Sequence, residues 1–247
     1  MSQDFHLIHL RPNLNRLLPW AQRQGLISDR GQGDLGYAFH AALRAAFADL
    51  TPQPFSYRYG EGLLAYSTQA EAIRAAAALA TPEVADMLGL DATSHSPGLL
   101  IRPFPKRWKT AQLLTFEVRV RPVVRKEDRE LDAYLSAVQR MPEAVLSREA
   151  VYADWLKRQF EGAAEFYEVG MTEFKLSTVL RRAAPSATQS EGTRPKRPVQ
   201  GPDAVFKGIL KVCDSDAFAA LLARGIGRHR AFGFGMLLLK PATTDWR

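Results

Sequence analysis

FSYRYGEGLLAYS (Phe55–Ser67) consists of two short runs rich in aromatic and aliphatic residues, joined by Gly60-Glu61-Gly62. Runs of this kind, divided by a glycine-bracketed turn, predict a β-hairpin. Upstream, DLGYAFHAALRAAFADL (Asp34–Leu50) repeats Leu35, Phe39, Leu43, Ala46, Phe47 and Leu50 at helical spacing, with Asp34 placed as the N-cap. Downstream, TQAEAIRAAAALATPEVADMLGL is alanine-rich and predicts helix. FHLIHLRP (Phe5–Pro12) predicts an opening strand that ends near Pro12, and a loop-rich insert separates it from Asp34. The first 90 residues therefore read β-α-β-β-α.

From Gly98 onward the pattern turns β-rich, with GLLIRPFPKRWKT followed by LLTFEVRVRPVV, where Phe116, Val118 and Val120 alternate with Glu117, Arg119 and Arg121. RELDAYLSAVQRM and SREAVYADWLKRQFEGA predict helices, the second capped by Ser147 and burying Tyr152 and Trp155. AAPSATQSEGTRPKRPVQGP (Ala183–Pro202) has little to bury and predicts a mobile surface loop. AVFKGILKVCD predicts a strand, SDAFAALLAR a capped helix and GMLLLKP the last strand. The expected class is α+β, with tandem ferredoxin-like (RAMP/RRM-like) domains at 1–95 and 96–247. The second carries a helical insertion at about 128–164, the loop at 183–202 and a glycine-rich loop at 225–235.

The 247 residues are 46% apolar and 24% charged, and no apolar run approaches the roughly 20 residues of a membrane span. The N-terminus lacks a signal-peptide pattern, and Cys213 is the one cysteine, expected as a small core residue. A cytoplasmic protein without disulfides is expected. The 33 basic side chains exceed the 26 acidic ones by seven, a balance that favours a polyanionic partner. No Cys/His/carboxylate cluster has metal-ligand spacing, so neither metal nor cofactor is expected.

GIGRHRAFGFGMLLL (Gly225–Leu239) combines Gly225, Gly227, Gly233 and Gly235 with Arg228, His229, Arg230, Phe232 and Phe234. It follows a helix and precedes a strand, the reverse of a P-loop or dinucleotide fingerprint, and it lacks a Gly-Lys-Ser/Thr ending. Two readings are open: a tight helix-to-strand connection, or a loop whose amides and guanidinium groups meet phosphates while its rings stack on RNA bases. On the first long helix, Tyr37, His40 and Arg44 fall at i, i+3 and i+7 along one stripe. By residue type alone, a histidine bordering an apolar helical face is more often structural than catalytic.

The loop pattern G-φ-G-basic-x-basic-A-F-G-x-G, the YAFH segment at Tyr37–His40 and the stretch Ala150–Arg182 together resemble the CRISPR-associated repeat-RNA endoribonucleases of the RAMP superfamily. The CasE branch of type I-E systems is the nearest in pattern, and the long insert before His40 also admits the related processing nuclease of type IV systems. The resemblance implies metal-independent cleavage at the base of a repeat hairpin, leaving a 2′,3′-cyclic phosphate and a 5′-OH. It also implies that the mature crRNA stays bound within a complex containing other Cas subunits. His40 is then the proton-transfer group, Tyr37 orients the 2′-hydroxyl or transfers a proton, and Arg44 or the loop arginines stabilise developing charge. Expected RNA contacts are Arg23, Arg30, Arg102, Lys106, Arg107, Arg181, Arg182, Lys196 and Arg197, together with the loop residues Gly225, Gly227, Arg228, His229, Arg230, Phe232, Gly233 and Gly235. The competing expectation is a non-catalytic RNA-binding RAMP subunit of a CRISPR effector complex.

Overall fold

The structure is a computed structural model that describes residues 4–27, 35–93, 96–127, 129–182 and 196–242. Its first sheet comprises β1 (His6–Leu10), β2 (Phe55–Arg58), β3 (Gly62–Ser67) and β4 (Leu100–Pro103). These four strands are antiparallel in the order β2-β3-β1-β4, the arrangement of a ferredoxin-like unit. The central strands β1 and β3 are apolar on both faces. Ile8, Leu10, Leu63 and Ala65 pack under α2 (Leu35–Phe47), α3 (Ala70–Ala78) and α4 (Pro82–Leu88), whereas Leu7, Leu64 and Tyr66 join the core of the second half.

That second half repeats the plan. β5 (Leu113–Val120), β8 (Ala164–Arg182), β9 (Lys196–Val212) and β10 (Leu237–Pro241) form an antiparallel sheet in the order β10-β5-β9-β8. A hairpin of β6 (Val123–Lys126) and β7 (Arg129–Asp132), then α5 (Ala133–Arg140) and α6 (Arg148–Gln159), lies between β5 and β8. The helix α7 (Ser215–Arg224) connects β9 to the glycine-rich loop and β10, its N-terminus capped by Asp214 accepting from the Ala217 amide. The chain is thus a tandem of ferredoxin-like units with an insertion in the second.

Several expectations are corrected. The insert after Pro12 contains the helix α1 (Leu14–Arg23), capped by Asn13. Its buried residues Leu17, Trp20 and Ala21 are spaced i, i+3 and i+4, so a narrow stripe holds the helix despite the amide missing at Pro19. The alanine-rich segment is two helices rather than one, because Pro82 starts α4 afresh after Thr81. Arg129–Asp132 is strand rather than helix, with Leu131 opposite Val124. The first sheet closes with β4, beyond residue 96, where the sequence reading began its second unit. The expected loop at 183–202 is strand from Lys196 onward, and 183–195 lie outside the described residues, as do Arg30 and the expected cap Asp34.

Alternation along β5 holds for Leu114, Phe116, Val118 and Val120, all buried, but Arg121 breaks it at 1% exposure. Its guanidinium donates to the Ser177 hydroxyl and to the carbonyls of Ser177 and Val199, at the root of the long β8–β9 arm. Cys213 is half-buried rather than in the core, because the alternation at the end of β9 turns Val212 inward.

The two halves are tied by a buried bond in which the Tyr66 hydroxyl donates to the Leu237 carbonyl at 2.8 Å. Tyr66→Phe leaves that carbonyl unsatisfied and is expected to cost about 1–3 kcal/mol in urea unfolding. Burial pushes the Tyr66 phenol well above the ordinary tyrosine range. Above pH about 10 the unfolded chain therefore sheds a proton that the folded chain keeps, and stability falls as pH rises. The variant is expected to show a shallower alkaline decline, and an identical decline would refute this linkage.

Candidate active site and nucleic-acid interface

Tyr37 and His40 leave α2 one turn apart. Tyr37 is 8% exposed and His40 is half-buried, both along the edge of the helix that meets the second half of the chain. What covers them is Phe232, in the 3-10 turn Arg230–Phe232 of the glycine-rich loop. Its ring lies nearly parallel to that of Tyr37, with centroids 5.6 Å apart and an interplanar angle of 10°. The same ring meets the His40 imidazole edge-on at 5.1 Å and 67°. A residue pair near position 40 and a loop nearly 200 residues later therefore share one surface.

The loop's geometry follows from its glycines. Gly225, Gly227, Gly233 and Gly235 all have positive φ. A Cβ on Gly235 would stand 2.2 Å from the Ile226 carbonyl oxygen, and one on Gly227 would stand 2.7 Å from the Trp155 ring. The Ile226 amide donates to the Gly235 carbonyl and the Gly235 amide to the Arg119 carbonyl. Here the missing side chains make room for the protein's own chain, so the expected phosphate contacts of the Gly225 and Gly235 amides are not available: both amides are bonded internally. The loop opens on a cleft of about 370 Å³ lined by Gln53, Glu130 and residues 227–232.

Charge around the cleft is not evenly presented. His229 adopts φ +63°, which turns its ring inward to 4% exposure, with Nε2 2.8 Å from Oε2 of Glu130. A contact between RNA and the His229 ring is therefore corrected to an internal hydrogen bond with Glu130. Arg228 pairs through Nε with Oε1 of the same carboxylate at 2.6 Å and remains half-exposed. Arg230 donates to the carbonyl of Arg224. Phe234 is buried, with the Arg119 guanidinium 4.5 Å above its ring.

The other expected residues are dispersed. Arg44 is half-exposed and paired with Asp49 at 3.1 Å. Arg23 pairs with Glu83 on α4, and Lys106 with Asp4 beside the exposed Arg102 and Arg107. Arg181 is in register with Arg197, and Arg182 with Lys196, on the two terminal rungs of the β8–β9 ladder. A second cleft, of about 650 Å³, lies between β2 and the second sheet. There Arg58 and Lys207 both pair with Glu117, and Arg119 binds the buried Asp203 carboxylate with two bonds. Among the described residues no group of three or more His, Cys, Asp or Glu side chains is disposed to hold a metal ion. No helix of the described residues is long and apolar enough to cross a membrane.

Sequence reading missed Glu130. Its signal was the pair Glu130/Asp132 at strand period in RELD, which places both carboxylates on one inward face of β7, with Asp132 accepting from Tyr152 and Arg148.

A family model described as CRISPR associated protein matches residues 5–241. The chain belongs to that family. Comparison with curated protein sequences returns no match. Among solved structures, this CRISPR-associated chain is similar to CRISPR endoribonuclease Cse3 bound to 19 nt RNA, with 19% identity, a TM-score of 0.63, and coverage of 98% of this chain and 100% of that one. It is also similar to Thermus thermophilus Cse3 bound to an RNA representing a pre-cleavage complex, with 19% identity, a TM-score of 0.58, and coverage of 96% and 100%. A chain of a CRISPR RNA-guided surveillance complex, pre-nicking, matches at 15% identity and a TM-score of 0.54, with coverage of 96% and 100%. These likenesses show the fold over nearly the whole chain, both ferredoxin-like units included.

Proposed function

We propose that this CRISPR-associated protein is a repeat-RNA endoribonuclease. It cleaves the base of a repeat hairpin without metal and retains its product within a crRNA-guided complex with other Cas subunits. The observation that carries the reading is the convergence of Tyr37, His40 and the cationic glycine-rich loop on one surface, through Phe232. The similar folds solved as a CRISPR endoribonuclease bound to RNA support it.

In the proposed reaction the 2′-hydroxyl loses its proton and its oxygen attacks the adjacent phosphorus. The P–O5′ bond breaks and O5′ takes up a proton, giving a 2′,3′-cyclic phosphate and a 5′-OH. His40 has the chemistry for either proton transfer near neutral pH. Tyr37 orients the ribose, while Arg228 and Arg230, with Arg44 when released from Asp49, stabilise the crowded phosphorane. The paired arginines at the end of the β8–β9 arm, with Arg102, Lys106 and Arg107, supply sequence-independent phosphate contacts.

A second reading, RNA binding without cleavage, is favoured by the burial of Tyr37 under Phe232 and the pairing of Arg44 with Asp49. Incubating the protein with repeat hairpin RNA in EDTA separates the two. The expected result is one cut ending in a cyclic phosphate, abolished by a single 2′-deoxy substitution at the cut. Tight binding with the RNA left intact would establish the second reading.

A further inference from the structure

We propose that Glu130 is a positioning residue for the cleavage site: a buried carboxylate, contributed by the inserted hairpin, that sets the shape of the glycine-rich loop and through it the placement of Phe232 against His40. The proposal rests on the reading of His40 and this loop as the site of cleavage.

The side chain of Glu130 is 7% exposed, and a carboxylate so buried needs compensation. It finds two partners in one tripeptide, with Oε1 paired to Arg228 Nε and Oε2 hydrogen-bonded to His229 Nε2. The grip has a conformational consequence. His229 is a residue with a Cβ held at φ +63°, a strained conformation that persists only where its surroundings enforce it. Its side chain is enforced by Glu130, and its carbonyl accepts the Phe232 amide at 2.8 Å, closing the turn that carries the ring onto Tyr37 and His40. The connection from Glu130 to His229, to the Phe232 amide and finally to the Phe232 ring is continuous at bonding or ring-contact distance. Glu130 belongs to β7, outside the four strands of the second ferredoxin-like sheet. The insertion thereby acquires a role as a brace for the loop.

Glu130→Gln keeps volume and shape but removes the charge that faces Arg228 and one of the two acceptor oxygens, and Glu130→Ala removes the grip altogether. Three readings are taken at a temperature where each variant is folded: trypsin cleavage after Arg228 and Arg230 without RNA, hairpin affinity, and the single-turnover cleavage rate constant. For Gln, the expected results are trypsin cutting about fivefold faster, affinity within about threefold, and a rate constant about tenfold lower; for Ala the rate loss approaches a hundredfold. A merely structural carboxylate would lower the unfolding midpoint and leave the rate constant of the folded fraction unchanged, and that outcome overturns the proposal. So does wild-type trypsin resistance in folded Glu130→Gln. If Ala does not fold, Gln alone decides. The trypsin reading needs no RNA, so a wild-type protein that never cuts RNA refutes the proposed function, while the brace is still judged by proteolysis.

Discussion

His40→Ala is expected to lower the single-turnover rate constant for repeat-RNA cleavage by about 10² to 10⁴-fold, with hairpin affinity within about threefold of wild type. The imidazole is the proton-transfer group that α2 brings to the surface it shares with the loop, and alanine removes it while leaving every described arginine in place. The half-buried ring contributes some packing to Phe232, so the comparison is made well below the unfolding midpoint. Quenched-flow cleavage of end-labelled hairpin, beside a filter-binding titration, measures both quantities. A rate within tenfold of wild type would remove His40 from the chemistry.

Gly235→Ala is expected to lose about 3 kcal/mol or more of unfolding free energy in urea, and cleavage with it. At φ +76° an alanine is strained wherever it stands, and here its Cβ would also lie 2.2 Å from the Ile226 carbonyl oxygen and 3.0 Å from the Ile226 nitrogen. The contact with the nitrogen falls on the bond from the Ile226 amide to the Gly235 carbonyl, which pins the base of the loop. Gly60→Ala isolates the backbone part of this cost. Its φ is +80° and nothing lies within 4 Å of the added carbon, so a loss of only about 1 kcal/mol is expected. Equal losses at the two positions would show that the clash with Ile226 contributes nothing.

The helix α2 was legible because it buries one face, and burial imprints its period on the sequence, while the hairpin at Phe55–Ser67 was marked by its two β-rich runs and the glycines between them. The first residues of β9 were not. Lys196–Pro202 pair rung by rung with Leu176–Arg182, and a strand stabilised by ladder bonds, with few side chains to bury, carries no alternation. The helix α1 hid behind Pro19 and a stripe of only three buried residues. At the site, Tyr37 and His40 were marked by their helical stripe, and the loop by its glycines. What those glycines accommodate was not legible, because φ > 0 next to the chain's own carbonyl and φ > 0 next to a ligand require the same residue. Arg228-His229-Arg230 reads as a single basic cluster, yet one left-handed residue in the middle turns His229 toward Glu130.

The guanidinium under the β8–β9 arm has a mechanical consequence. Arg121 is bound to carbonyls of both arm strands, Gly201 leaves it the space it fills, and it lies 5.8 Å from the ring of Phe234, which Arg119 also covers. To swing as a free flap, the arm would have to surrender charge-assisted bonds worth about 1.5–3 kcal/mol each. A duplex gripped at the arm's far end would therefore pull against a fixed pivot that also touches the ring of Phe234 in the glycine-rich loop.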